Sequence, residues 1–156
     1  MADEKQLKKA QTVYASLCGM LDEKSWHYEQ HKEDLVITFT ARGDDIPMQF
    51  IIYIDADREL VRLMSPIPIS FGEDKRVEGA LATSRVNYAL ADGSFDYDFK
   101  EGKVMFRMTS SYRDSLISME LMKYMVGCAL YTVDEYNDKF LMIAKGMMSV
   151  DDLFSK

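Results

Sequence analysis

The chain has 156 residues, of which 29% are charged, and its formal net charge is −7 at neutral pH. This length predicts one domain, spanning 1–156, that is large enough to bury a hydrophobic core. The acidic balance disfavours nucleic acid as a partner, because sequence-independent binding requires Lys and Arg to neutralise phosphates. The first residues show no signal-peptide pattern, and the longest apolar stretch, near 124–131, is too short to span a bilayer. We therefore expect a soluble, cytoplasmic protein without a membrane partner.

The first half of the chain predicts one helix followed by an antiparallel meander. Apolar residues fall at helical spacing over 3–21, where Asp3 is placed to cap the helix. Short turns separate the strands that follow, which requires antiparallel pairing. The four predicted strands are 26–31, 35–42, 48–55 and 60–65. Pro66 is expected to end the meander, because proline cannot continue a central ladder.

A second helix is predicted over 73–91, with Gly93 as its C-terminal stop. Its apolar residues recur at helical spacing and therefore share one face. The residues on that face are Val77, Ala80, Leu81, Ser84 and Tyr88.

A two-stranded hairpin is predicted after Gly93. Phe95, Tyr97 and Phe99 alternate with polar residues, which is the period of a strand with one buried face. A two-residue turn at Glu101-Gly102 would join this strand to the next one. In that register Phe99 faces Val104, Tyr97 faces Phe106, Phe95 faces Met108 and Asp96 faces Arg107.

The third helix begins near Ser115 or Ser118, is the longest, and has a wide apolar arc. A helix that only covers its own sheet needs an arc of about 100°, and this one has roughly double. We therefore expect it to bury a second surface, against a subunit or a bound chain, and a homodimer is the commonest cause. Methionines are concentrated in this half of the chain. Methionine is over-used at surfaces that bind varied apolar partners, but core filling accounts for most of these residues. The candidate binding residues are Met119, Val126, Leu130, Val133, Ala144 and Met148.

The sequence contains little that points to chemistry. His27, Glu29 and His31 alternate on the first strand and could hold a transition metal, but polar residues on an exposed edge strand give the same pattern. Neither cysteine lies in a nucleophile signature, and no phosphate-binding glycine loop is present. We therefore predict no enzymatic activity, no metal and no cofactor.

These elements predict a two-layer α+β fold, with helices packed on an antiparallel sheet made of a meander and a hairpin. Their order is one helix, three or four strands, one helix, two strands and one helix. This plan resembles the type III secretion chaperone-like fold and, within it, the YbjN-like family of bacterial sensory transduction regulators. The residues that carry the resemblance are Asn87, Gly93, Phe95, Asp98, Gly102, Val104, Phe106 and Arg107, supported by Trp26 and Pro66.

The resemblance implies a small, acidic, cytoplasmic protein that forms a dimer and has no established active site. Secretion chaperones of this fold wrap an extended segment of a client protein along apolar patches. They typically have three strands between the first two helices, where four are predicted here.

Two functions follow as hypotheses. The first is a non-enzymatic protein-binding module, chaperone-like or regulatory, that forms a homodimer and holds a polypeptide client or regulatory protein. The alternative is a small-ligand sensor with a pocket between helices and sheet. Its predicted lining is Trp26, Tyr53, Phe95 and Tyr97.

Overall fold

A computed structural model describes residues 1–155, which form three α-helices and one six-stranded antiparallel sheet. The helices are α1 (Glu4–Glu23), α2 (Arg76–Ala89) and α3 (Met119–Ala144). The strands are β1 (Glu29–His31), β2 (Val36–Ala41), β3 (Met48–Asp55), β4 (Leu60–Ser70), β5 (Ser94–Asp98) and β6 (Lys103–Ser111), in the sheet order β1-β2-β3-β4-β6-β5. The predicted α+β fold class is confirmed, with four strands between α1 and α2.

One face of the sheet forms the core and the other stays open. Along β3 the side chains of Met48, Phe50, Ile52 and Ile54 are buried, whereas the alternate side chains, such as Tyr53, are more exposed. Helices α1 and α3 contact β3, α3 also contacts β4 and β6, and α2 contacts β5. The protein therefore has two layers, with the helices on a single face of the sheet.

The N-terminal helix begins as predicted. The Asp3 side chain accepts a hydrogen bond from the backbone N–H of Gln6 at 2.8 Å, and the Gln6 side chain accepts one from the backbone N–H of Asp3 at 2.9 Å. This reciprocal capping box satisfies two N–H groups that an α-helix leaves unpaired at its start.

Pro66 does not end the meander, because β4 continues to Ser70. Pairing of β4 with β3 extends no further than Met64, and beyond Pro66 the ladder with β6 has a register shift. Proline is tolerated at such an irregular, one-sided part of a strand, because its missing N–H costs no ladder bond there. The strand is therefore longer than the sequence predicts.

The predicted register of the hairpin is wrong by two residues. Phe95 lies opposite Phe106 and Tyr97 opposite Val104. The cause is a four-residue turn, closed by a 2.7 Å bond from the backbone N–H of Gly102 to the carbonyl of Asp98. The Asp98 carboxylate also accepts the backbone N–H of residue 100 at 2.9 Å. A shift of two residues keeps Phe95 and Tyr97 on their predicted face, but Phe99, predicted to face Val104, falls in the turn and is 56% exposed.

Helix α2 presents its predicted apolar face to solvent. Tyr88 is 95% exposed, and Val77 and Leu81 are both more than half exposed. The opposite, buried face carries small residues, among them Gly79, where a Cβ atom would overlap the ring of Tyr97. Because α2 lies this close to the hairpin, only small side chains fit between them.

Candidate protein-binding surfaces

The six residues predicted to form a binding surface on the last helix differ widely in exposure, and Met148 lies beyond the end of α3. Val126 is 5% exposed and Val133 is 1% exposed, so both belong to the core. The other four range from exposed to half-buried: Met119, Leu130, Ala144 and Met148. Helix α3 contacts α1 and α2 as well as the sheet, so contacts within the chain use much of its wide apolar arc. The six residues therefore do not form one accessible surface, and their part in binding stays a prediction.

The accessible side of α3 carries tyrosines that the sequence analysis did not single out. Tyr131 is 73% exposed and Tyr124 is also exposed. They are seven residues apart, close to two turns, and so lie on one stripe. The Tyr124 hydroxyl donates to the Asp92 carboxylate at 3.1 Å. The seven-residue spacing was visible in the sequence, but helical periodicity alone does not say which stripe faces outward.

A groove of about 630 Å³ lies between α3 and the adjoining end of the sheet. Its apolar walls are Trp26, Phe39, Met48, Leu130 and Tyr131. The Trp26 ring packs edge-on against Phe39, with the ring centroids 5.4 Å apart. This contact holds the indole at the groove and keeps its apolar surface available.

The groove lies where β1, which is shorter than predicted, does not extend along β2. Residues 26–28 do not pair with β2, and β1 begins only at Glu29. Ser25 has a φ of 56°, and the backbone N–H of Trp26 donates to the carbonyl of Leu21 at 3.0 Å. These interactions hold the segment against the end of α1 and leave a gap beside the last residues of β2.

The gap exposes the backbone edge of β2 at Thr40. The carbonyl of Leu35 accepts a hydrogen bond from the backbone N–H of Ile54 in β3. Because hydrogen bonds alternate along an antiparallel strand, the odd-numbered residues of β2 bond β3, and the even-numbered residues direct their N–H and carbonyl groups away from β3. Val36 and Thr38 are covered by β1, whose pairing with β2 extends no further than Thr38. Within residues 1–155, no strand covers the outward N–H and carbonyl of Thr40.

At the opposite edge of the sheet, a side chain bonds outward-facing backbone groups of β5. The Asn87 side chain accepts a hydrogen bond from the backbone N–H of Phe95 at 2.7 Å and donates one to the carbonyl of Phe95 at 3.0 Å. Asn87 thus makes the two bonds that a residue of a neighbouring strand would make. A helix side chain thereby satisfies Phe95, one of the two β5 residues whose backbone groups point away from β6; the other is Tyr97.

Carboxylates gather at one end of the groove. The Asp134 carboxylate accepts the backbone N–H of Asp44 at 3.0 Å, and a Cβ atom at Gly43 would overlap that carboxylate, so glycine permits the contact. The neighbouring charge of Asp138 raises the pKa of Asp45, with burial, Asp134 and Asp44 adding to the effect. This end therefore favours a positively charged group on any occupant.

The four residues predicted to line a small-ligand pocket do not come together. Phe95 is buried among Phe106, Tyr136 and Phe140 of the core, and Tyr53 lies on the open face of the sheet. Trp26 is at the groove beside β2, while β5, which carries Tyr97, forms the far edge of the sheet. The pocket predicted from these side chains is not formed.

The metal hypothesis requires His27, Glu29 and His31 on one face of a strand. His27 lies before β1, and the Nε2 atom of His31 is 4.0 Å from the Glu29 carboxylate. Over residues 1–155, no group of three His, Cys, Asp or Glu side chains is arranged to hold a metal ion.

In the same residues, no helix is long and apolar enough to cross a membrane.

The sequence model of the YbjN family, described as putative bacterial sensory transduction regulators, matches residues 14–142. The chain belongs to the YbjN family. The matched region extends from α1 to the last turn of α3 and includes both walls of the groove. No curated protein matches the chain in sequence.

Two chains from solved complexes share this fold. A chain in the crystal structure of the ExsC–ExsE complex is 16% identical with a TM-score of 0.59, and the match covers 81% of this YbjN protein and 92% of that chain. A chain in the structure of the HopA1–SchA chaperone–effector complex is 15% identical with a TM-score of 0.52, and the match covers 85% and 95%. The fold is therefore that of the secretion chaperones, as the order of elements predicts.

Proposed function

We propose that this YbjN protein is a non-enzymatic protein-binding module, chaperone-like or regulatory, that holds a segment of a polypeptide against α3 and the adjoining edge of the sheet. The observation that carries this proposal is the groove walled by Trp26, Leu130 and Tyr131. An open, apolar groove of this size, lined by the exposed Tyr131 and the half-buried Trp26, suits an anchored peptide, since aromatic residues are enriched at binding interfaces. The occurrence of the same fold in a chaperone–effector complex supports this choice of partner.

A site-specific crosslinking experiment tests the proposal. A photoreactive phenylalanine analogue replaces Tyr131 in the groove, and the same analogue replaces Thr109 on the open sheet face as a matched control. We expect a discrete protein adduct from position 131 and none from position 109. The captured protein should bind the purified chain stoichiometrically, and Tyr131→Lys should weaken that complex at least tenfold. Equal crosslinking from both positions would contradict the proposal.

We further propose that the protein self-associates through α2, rather than through the residues of α3 that the sequence indicated. Val77, Leu81 and Tyr88 form an exposed apolar stripe along α2, which is unusual for a surface without a partner. Two copies of α2 packed antiparallel about a two-fold axis would place Val77 opposite Tyr88, so the stripe is complementary to itself. Leu81→Glu should convert a dimer to a monomer in sedimentation equilibrium, whereas Tyr131→Lys should not. A monomeric wild type at high micromolar concentration would contradict this.

We place the protein in the cytoplasm. Cys18 and Cys128 are both free thiols in the structure, which suits a reducing compartment. Fractionation of cells that carry a tagged chain would test this location, and recovery in a membrane or extracellular fraction would contradict it.

A further inference from the structure

The exposed backbone of Thr40 gives the groove a hydrogen-bond donor and an acceptor, which its apolar walls do not provide. A strand edge with an unpaired N–H and carbonyl is a template for another extended chain. When a peptide adds to such an edge, main-chain hydrogen bonds provide affinity, and pockets for alternate side chains provide specificity. Thr40 is at the centre of this edge, and Phe39 and Ala41 on either side line the groove.

We propose that an extended segment of a partner polypeptide adds to the sheet as a short strand beside β2, with its backbone bonded to the N–H and carbonyl of Thr40. The inference rests on the proposed function and gives its binding mode. The segment would occupy the row of β1, in the space that residues 26–28 leave when they turn toward α1.

The geometry also defines the side chains of the segment. Phe39 and Ala41 are on the helix-covered side of β2, so the segment's residues opposite them point into the groove, while the residue opposite Thr40 points to the open face. The segment residue opposite Phe39 lies next to Trp26, so an apolar side chain suits this position. The segment residue opposite Ala41 lies next to the loop that binds Asp134, so a Lys or Arg would be favoured there.

The charges around this end support a basic residue. Asp44, Asp45, Asp134 and Asp138 supply four carboxylates, and Arg42 is the cation that lines the groove beside them. Four negative charges against one positive charge leave a local excess of three negative charges. In antiparallel addition the segment therefore reads, from N to C, basic residue, any residue, apolar residue.

Short synthetic peptides provide the probe. The first is acetyl-Ser-Lys-Thr-Leu-Thr-amide, in which the central Thr lies opposite Thr40. The second is the same peptide N-methylated at that central Thr, which removes the backbone donor, and the third has Glu in place of Lys. Each is titrated into the uniformly ¹⁵N-labelled full chain, and amide shifts and hydrogen exchange are followed at Thr40.

We expect the first peptide to shift the Thr40 amide and slow its exchange, N-methylation to weaken binding at least tenfold, and the Glu peptide to bind at least fivefold more weakly. Thr40→Pro, followed through the amides of the neighbouring groove residues, should abolish the peptide-induced shifts, because it removes the outward N–H without breaking a bond to β3. Trp26→Ala is the second variant, for use if Thr40→Pro fails to fold, and it should weaken binding without changing the Thr40 exchange rate of the free protein.

The outcomes separate the two proposals. Binding that is insensitive to N-methylation and to Thr40→Pro would overturn strand addition and leave a protein-binding groove. Absence of any shift at millimolar peptide would overturn the proposed segment chemistry, while a protein crosslinked from position 131 would still support the function. Conversion of a dimer to a monomer by Thr40→Pro would show that a second copy occupies the edge and would overturn a partner segment.

Discussion

Replacement of Asn87 by Ala should destabilise the protein through a single, well-defined pair of hydrogen bonds. The side chain bonds both backbone groups of Phe95, at 2.7 and 3.0 Å, and Phe95 is buried. Each such bond contributes about 1 kcal/mol net, and a buried group left unpaired costs about 1–3 kcal/mol. Because the free edge of β5 allows water to reach part of the site, we expect a loss of about 2–3 kcal/mol in the free energy of unfolding. For a chain of this size that corresponds to a Tm lower by roughly 5–10 °C.

Urea and thermal unfolding, followed by circular dichroism, measure this loss. Asn87→Asp should be equally destabilised at neutral pH, because its second carboxylate oxygen would face the carbonyl of Phe95 without a proton to donate. Ser84→Ala, an exposed position on the same helix, is the control and should stay within about 0.5 kcal/mol of wild type. If Asn87→Ala also stays within that margin, the Asn87 side chain does not stabilise the strand edge.

Three further predictions concern other parts of the chain. Val126→Asp should unfold the protein or lower its free energy of unfolding by more than about 3 kcal/mol, because it buries an unpaired charge. Tyr131→Lys is the control and should keep the wild-type melting curve, so similar curves for the two variants would contradict the buried position of Val126. Burial raises the pKa of Tyr112 to about 12, from 10 in the unfolded chain, so the folded state holds this proton more tightly and stability should fall as the pH rises from 10 to 12. Tyr112→Phe should reduce that fall in urea midpoints measured at pH 9 and pH 11, and an unchanged slope would refute the assignment. Gly127→Ala, with no atom near the added Cβ, should raise the free energy of unfolding by about 0.5–1 kcal/mol. Gly79→Ala should lower it by about 1–3 kcal/mol through overpacking, and a higher Tm for Gly79→Ala than for Gly127→Ala would contradict the packing of α2 against the hairpin.

The hairpin shows how far an alternating pattern can be used for prediction. Alternation identified which side chains of β5 are buried, and Phe95 and Tyr97 lie on the predicted face. It could not fix the register, because a slip of two residues leaves every face unchanged. The register depends on the length of the turn, which hydrogen bonds to Asp98 set at four residues. Those bonds arise from a local conformation that sequence spacing does not reveal.

Helix α2 shows a different limit of prediction from a single sequence. Helical periodicity correctly grouped Val77, Leu81 and Tyr88 on one face, but it gave no direction for that face. An apolar helix face normally points to the core, yet the close approach of α2 to the hairpin at Gly79 admits only small side chains. The large residues are consequently on the outside. The candidate dimer surface was thus present in the sequence as a helical face, but only the structure shows that it is accessible.

The two edges of the sheet together determine what kind of assembly strand addition can produce. Polymerisation by edge-to-edge pairing needs two free edges on each copy, so that one edge of a copy receives the other edge of the next. Here Thr40 leaves one edge open, while Asn87 occupies the outward groups of Phe95 on the other and leaves Tyr97 as the remaining outward residue of β5. Asn87 therefore shortens the free part of the second edge and disfavours pairing there. It follows that Asn87→Ala should do more than lower stability: by freeing Phe95 beside Tyr97 it should also promote concentration-dependent association, and Asn87→Ala combined with Thr40→Pro should suppress that association.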